Sequence, residues 1–190
     1  MKKYIIITGS PRKEGNSDKI AAQCEAQLKA AGFATEVFRI EDKKVGSCQA
    51  CEYCKTHDGC VQKDDASAVI EELKNCAGAV FVAPIYFGSV PGTCKVLTDR
   101  FYSMFNPAKG MAAPDPAKKL GIVLTCGGFV DNTPMLDAEV QKKRCVLPAS
   151  LSTLASPWQA LAITKPWYSL GKIQKTPLQV MRIIRNKLKN

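Results

Sequence analysis

Four cysteines fall within 13 residues of this 190-residue chain, in VGSCQACEYCKTHDGCVQKDD, with the spacing C-x2-C-x2-C-x5-C. Thiolates at Cys48, Cys51 and Cys54 recur every three residues and can wrap one compact inorganic core, with Cys60 returning after a short loop. That donor set suits a [4Fe–4S] cluster, which takes four Cys ligands. The spacing differs from the bacterial ferredoxin run, whose fourth cysteine follows after three residues and precedes proline. Two other readings stay open: a redox-active thiol set without metal, and structural zinc, which more often uses two separated C-x2-C pairs. His57, the single histidine, lies inside the loop and reads as an exposed residue, because cysteine already fills four ligand positions.

A second segment could hold an anion. Gly9-Ser10-Pro11-Arg12 and Gly15-Asn16-Ser17 join an apolar run to an amphipathic one. Such a loop offers backbone N–H groups and the positive end of a helix dipole. Ser10, Asn16 and Ser17 add neutral hydrogen bonds, and Arg12 adds a charged fork suited to phosphate. The segment is neither a Walker loop nor a G-x-G-x-x-G fingerprint. Pro84-Ile85-Tyr86-Phe87-Gly88-Ser89 offers two aromatics to a flat ring, and Gly88 permits close backbone approach. Thr125-Cys126-Gly127-Gly128 is another permissive backbone segment. Each of these three also reads as an ordinary turn or sheet-edge cover. Asp99 and Arg100 read as an intersubunit or solvated pair as readily as a site feature.

These segments need a scaffold that brings them to one place. Apolar runs at Tyr4–Thr8, Thr35–Ile40, Ala79–Ala83, Leu120–Thr125 and Ala160–Thr164 alternate with helical patterns. The helices are expected from about Asp18 to Ala31, from about Asp64 to Asn75, up to about Phe105, after Pro134, and over about 176–189 from Thr176-Pro177. The pattern implies right-handed βαβ units and a parallel sheet covered on both faces. It predicts one α/β domain, 1–190, a flavodoxin-like doubly wound sheet of five strands in the order 2-1-3-4-5, with a cysteine-rich loop, 45–64, inserted after strand 2. Ligands of such sheets bind beyond the carboxyl ends of the strands, at the switch point between strands 1 and 3. The phosphate-type loop, PIYFGS and TCGG are expected there.

Composition bounds the rest. Apolar residues make up 46% and charged residues 23%, ordinary for a globular protein. No apolar run approaches the roughly 18 residues of a membrane span. MKKYIIITGS lacks the h-region and cleavage site of a signal peptide, so it reads as the first buried strand of a cytoplasmic protein. In that compartment the scattered Cys24, Cys76, Cys94, Cys126 and Cys145 read mostly as small core hydrophobes. Net charge is +10, and seven positive charges lie between Lys165 and Lys189, where there is no Asp or Glu. That tail reads first as a solvated helix face. No nucleic-acid motif accompanies it, and neither nucleic acid nor membrane is expected as a partner.

GSPRKEGNS directly after the first strand resembles the FMN phosphate loop of the NADPH-dependent FMN reductase group, and PIYFGS resembles that group's second flavin loop. With C-x2-C-x2-C-x5-C after strand 2, the chain resembles the iron–sulfur flavoprotein family within that group. The resemblance covers most of the chain to about residue 130. It implies FMN held by Ser10, Arg12, Asn16, Ser17, Pro84, Ile85, Tyr86, Phe87, Gly88, Thr125, Cys126, Gly127 and Gly128. It also implies one [4Fe–4S] cluster on Cys48, Cys51, Cys54 and Cys60, in a homodimer or homotetramer. The cofactors would carry the chemistry, with no acid/base triad. Electrons would pass from reduced ferredoxin or NAD(P)H to a small acceptor, and the basic tail would meet an acidic ferredoxin. Two rivals are a cluster-free NAD(P)H-dependent FMN or quinone reductase and a redox sensor or carrier without turnover.

Overall fold

The computed structural model describes residues 2–87, 89–106, 118–126 and 159–164. Gly88, Gly127, Gly128, Cys145, the stretch after Pro134 and the basic helix expected over 176–189 lie outside them. Lys3–Thr8 (β1) is followed by helix Asn16–Ala30 (α1), strand Ala34–Arg39 (β2), short helix Tyr53–Thr56 (α2) and helix Asp65–Asn75 (α3). Strand Gly78–Pro84 (β3), helix Gly92–Arg100 (α4) and strands Lys119–Cys126 (β4) and Gln159–Thr164 (β5) complete the described elements. The first four expected strands, and each expected helix among the described residues, are present. Ends differ mostly by one or two residues, as helix fraying allows. Only α4 stops well short of Phe105, because a 3-10 turn takes over at Phe101.

The strands are parallel, and the sheet has the flavodoxin-like order β2-β1-β3-β4, with β5 paired to the far side of β4. Alternating side chains of β1 build two cores, as burial on both faces demands. Ile5 and Ile7 point into a cluster with Phe81, Ile122, Ile70, Leu73 and Leu97 from the α3 and α4 side. Tyr4 and Ile6 join Val80, Val82 and Val123 under Ala21, Cys24 and Leu28 of α1. Those last three recur at helical spacing, which is why α1 lies flat on the sheet. Cys24, Cys76 and Cys94 are buried in these cores, as small apolar residues would be.

The chain leaves β1 toward β2 on one side and reaches β3 on the other. A crevice is therefore expected beyond the carboxyl ends of β1 and β3. The residues that follow β1 and β3, with the end of β4, lie at that edge of the sheet.

Candidate functional site: a phosphate-type loop and a cysteine hollow

At the end of β1, the Gly9 N–H donates to Val82 O at 2.9 Å, which ties the loop root to β3. Ser10 is buried, and its hydroxyl shapes the loop: it donates to Arg12 O at 3.2 Å and accepts the Arg12 N–H at 3.3 Å. The Arg12 side chain is exposed. Gly15 is the N-cap of α1 and brings no side chain to cap the helix, so the N–H groups at Asn16 and Ser17 begin the helix without a side-chain acceptor. An uncapped helix start beside an exposed guanidinium can accept a phosphate.

Two residues passed over in the sequence hold this loop in shape. Asp18 accepts from Thr8 Oγ1 at 2.8 Å and from the Glu14 N–H at 3.0 Å. Arg39, at the end of β2, pairs with Asp18 at 3.4 Å and donates to Ser10 O at 2.9 Å. Asp18 had looked like a helix-start acid, and nothing in its local pattern announces a partner 21 positions away.

The other two loops meet the first. Ser17 Oγ lies 3.2 Å from Thr125 Oγ1, and the Ile85 N–H donates to Thr125 O at 2.7 Å. Pro84 is buried, and Ile85 packs against the core. Tyr86 and Ser89 exchange backbone hydrogen bonds at 2.7 and 3.1 Å, closing a tight turn. At its tip Phe87 takes φ +48°, a left-handed conformation that costs an L residue roughly 1–3 kcal/mol, and its side chain is fully exposed. Tyr86 and Phe87 thus stand in solvent beside the crevice, where a flat ring could lie against them. Cys126 is the last residue of β4.

The cysteine loop is closed at its base. The Lys44 N–H donates to Asp65 Oδ2 at 2.7 Å, Asp65 N–H to Lys44 O at 3.1 Å, and Gly46 N–H to Asp64 Oδ2 at 2.9 Å. Gln62 Nε2 donates to Ser47 O at 2.9 Å. Between these staples Ala50 and Glu52 adopt φ +50° and +57°, which coils the chain between its thiols. On the far side Lys55 Nζ donates to Tyr102 O and Phe105 O at 3.0 and 2.6 Å and sits 3.3 Å from the centroid of the Tyr102 ring. His57 is exposed as expected, stacked on Tyr53 at 3.9 Å between ring centroids.

Cys48, Cys51, Cys54 and Cys60 all line one open hollow. Cys48 and Cys51 are exposed, Cys60 is half-buried and Cys54 is buried. Burial, above all, pushes the Cys54 thiol up; Lys55 pulls it back, and Cys60 and Cys48 raise it further. Among the described residues, no three His, Cys, Asp or Glu side chains converge tightly enough for a single metal ion. One zinc would draw its sulfurs in to about 2.3 Å from a common point. Four cysteines around one hollow are the number of ligands that an iron–sulfur cluster takes.

The reading of Asp99 and Arg100 as one pair is corrected here. Asp99 turns outward and pairs with Lys95 on its own helix at 2.5 Å. Arg100 is 1% exposed and reaches beneath the cysteine loop. Its Nη1 and Nη2 grip both oxygens of Asp64 at 2.6 and 3.0 Å, and they also donate to Gly46 O at 2.9 Å and Ser67 Oγ at 3.0 Å. This fork holds both ends of the cysteine loop to the end of α4. Burial raises the Asp64 carboxyl, but Arg100 and the Gly46 and Ser67 N–H groups outweigh it and bring its pKa to about 2.

A family model for NADPH-dependent FMN reductase matches residues 2–129. A protein of Methanosarcina thermophila named iron-sulfur flavoprotein is 35% identical over 126 residues, 66% of this chain and 63% of that protein. An Archaeoglobus fulgidus protein of the same name is 33% identical over 124 residues, 62% of this chain and 63% of its own length. The chain thus spans just under two thirds of the length of these curated relatives. Among solved structures, an FMN-dependent NADH-azoreductase from Bacillus anthracis in complex with FMN superposes with a TM-score of 0.72, covering 99% of this chain and 100% of that one. At 16% identity, that likeness speaks for the fold alone.

Proposed function

The chain belongs to the NADPH-dependent FMN reductase family, and from that premise we propose that it is an FMN-dependent oxidoreductase that also carries one [4Fe–4S] cluster. It would move electrons between reduced ferredoxin or NAD(P)H and a small acceptor. FMN exchanges electrons singly or in pairs and a cluster exchanges them one at a time, so together they couple one-electron carriers to two-electron substrates. The chain's own part is to bind and orient. Arg12 and the uncapped start of α1 would take the FMN phosphate, with Asp18 and Arg39 keeping the loop in shape. Tyr86, Phe87 and Thr125 would border the ring, with Gly88, Cys126, Gly127 and Gly128 completing that wall. Cys48, Cys51, Cys54 and Cys60 would each supply one cluster ligand.

The observation that carries the cluster is the single hollow lined by all four cysteines of the motif. The iron–sulfur names of the two archaeal relatives support it. The fifth strand and the loop at 45–64 belong to the same reading, as do a homodimer or homotetramer, a cytoplasmic location and an acidic ferredoxin docking on the basic tail.

Anaerobic purification tests the proposal. The protein should carry FMN with about four irons and four sulfides per chain, the content of a [4Fe–4S] cluster. Alanine at any of the four loop cysteines should remove or degrade the cluster while FMN stays. Alanine at Cys24 or Cys76 should leave iron in place. Anaerobic protein with full FMN and no iron would sink the cluster and leave a plain NAD(P)H-dependent FMN or quinone reductase.

A further inference from the structure

Arg100 ties the ends of the cysteine loop together and also places a charge at the hollow. Its side chain is wholly buried, it lines the cysteine hollow, and its Nε is the one buried side-chain donor without a partner among the described residues. The cation is held by the Asp64 carboxylate through Nη1 and Nη2, and it lines the hollow that the four cysteines share.

We propose that Arg100 tunes the reduction potential of the cluster held by the four cysteines, raising it through its charge, and that Asp64 moderates the effect. The inference rests on the cluster reading above. On reduction the cluster takes up one electron and the group formed by core and thiolates becomes more negative. A buried, fixed cation at the wall of the hollow stabilises that extra charge more than it stabilises the oxidised form. Asp64 is a fixed anion behind the cation, so it works in the opposite sense. The two residues are partners in packing and opponents in potential. A merely structural pair lacks this opposition, since losing either member would loosen the same loop in the same way.

The test uses anaerobically purified protein holding FMN and cluster, reduced stepwise with dithionite as electron donor. The reduced cluster is followed by electron paramagnetic resonance against potential. Arg100→Met should make reduction about tenfold harder, a fall of about 59 mV for a one-electron couple. Asp64→Asn should raise the potential by a comparable amount. Arg100→Lys, which keeps charge and loses the fork, should shift it less than Arg100→Met does. The FMN potential should follow none of these changes. Where Arg100→Met fails to fold, the rise in Asp64→Asn decides the matter. Iron-loaded variants whose potentials stay put, or move in the same direction, would overturn the proposal. So would loss of the cluster from all three with FMN retained, which would make the pair a scaffold. Wild-type protein without iron is a different failure, since it removes the cluster reading itself.

Discussion

Gly9 follows β1 directly, and a methyl group on its Cα would collide with Cys94 Sγ, with Ile40 Cδ1 at 3.5 Å and Ala83 Cβ at 3.6 Å behind it. The thiol in turn donates to Gly9 O at 3.4 Å. Burial first, and the Glu41 charge second, push the Cys94 pKa up to about 12, so it remains a neutral donor and not a nucleophile. Gly9→Ala therefore overpacks a tight contact, at a cost of about 1–3 kcal/mol. For a chain of this size each kcal/mol lowers Tm by about 2–4 °C, so a fall of roughly 2–12 °C is expected. Cys94→Ala deletes one buried atom and a weak hydrogen bond, on the order of 0.5–1.5 kcal/mol. The double variant should cost less than the sum, by at least about 1 kcal/mol, because the removed sulfur makes room for the added methyl. FMN affinity, read by quenching of flavin fluorescence, should fall in Gly9→Ala and recover in the double variant, since Gly9 roots the phosphate-type loop. Additivity to within about 0.5 kcal/mol would refute this account of why Gly9 must be glycine.

Arg12→Ala should weaken FMN by about 10- to 100-fold, the equivalent of a charged hydrogen bond worth about 1.5–3 kcal/mol, and leave riboflavin affinity nearly unchanged. Equal losses in a titration of both flavins would show that Arg12 does not meet the phosphate. The Asp64 carboxyl, held to about 2, gives a pH dependence of fixed sign. Its folded pKa lies below the unfolded value of about 3.9, so its contribution is complete above about pH 4 and is lost as pH falls through 2. Denaturant melts of Asp64→Asn should lack that part of the acid slope; an unchanged slope from pH 5 to 2 would show that the fork with Arg100 does not stabilise the fold.

What could be read from the sequence and what could not divide along a physical line. β1 and β3 announce themselves as apolar runs, and α1 and α3 by apolar residues at helical spacing, because those signals are local and set by periods of two and 3.6. The Lys95–Asp99 pair is equally readable, since it joins residues four apart on one helix. Arg100 sits beside it and was read with it, but its partner is 36 positions away, and only the packing of α4 against the closing end of the cysteine loop brings them together. Asp64 gives half of its role away: it starts α3 and accepts the Ser67 N–H at 3.1 Å, as a helix cap should. Its second role, toward Arg100, leaves no local trace. Asp18 and Arg39 follow the same rule. The residues proposed to touch cofactors lie in recognisable loops, whereas those that hold the loops in place are set by tertiary structure.

Helix α4 serves both places at once. Cys94, its third residue, lies against the root of the phosphate-type loop, and Arg100, its last residue, lines the cysteine hollow. Six residues of rise separate them, about 9 Å along the axis at 1.5 Å per residue. Leu97 and Thr98 between them are fully buried, so the helix cannot tilt at one end without moving the other. The two anchors of the loops are fixed to one rigid rod on the sheet. On the proposed reading, a distortion at Gly9 should therefore be felt at the cysteines, and the iron content of Gly9→Ala should fall together with its FMN. Iron that stays complete while FMN is lost would show that the two sites are held independently.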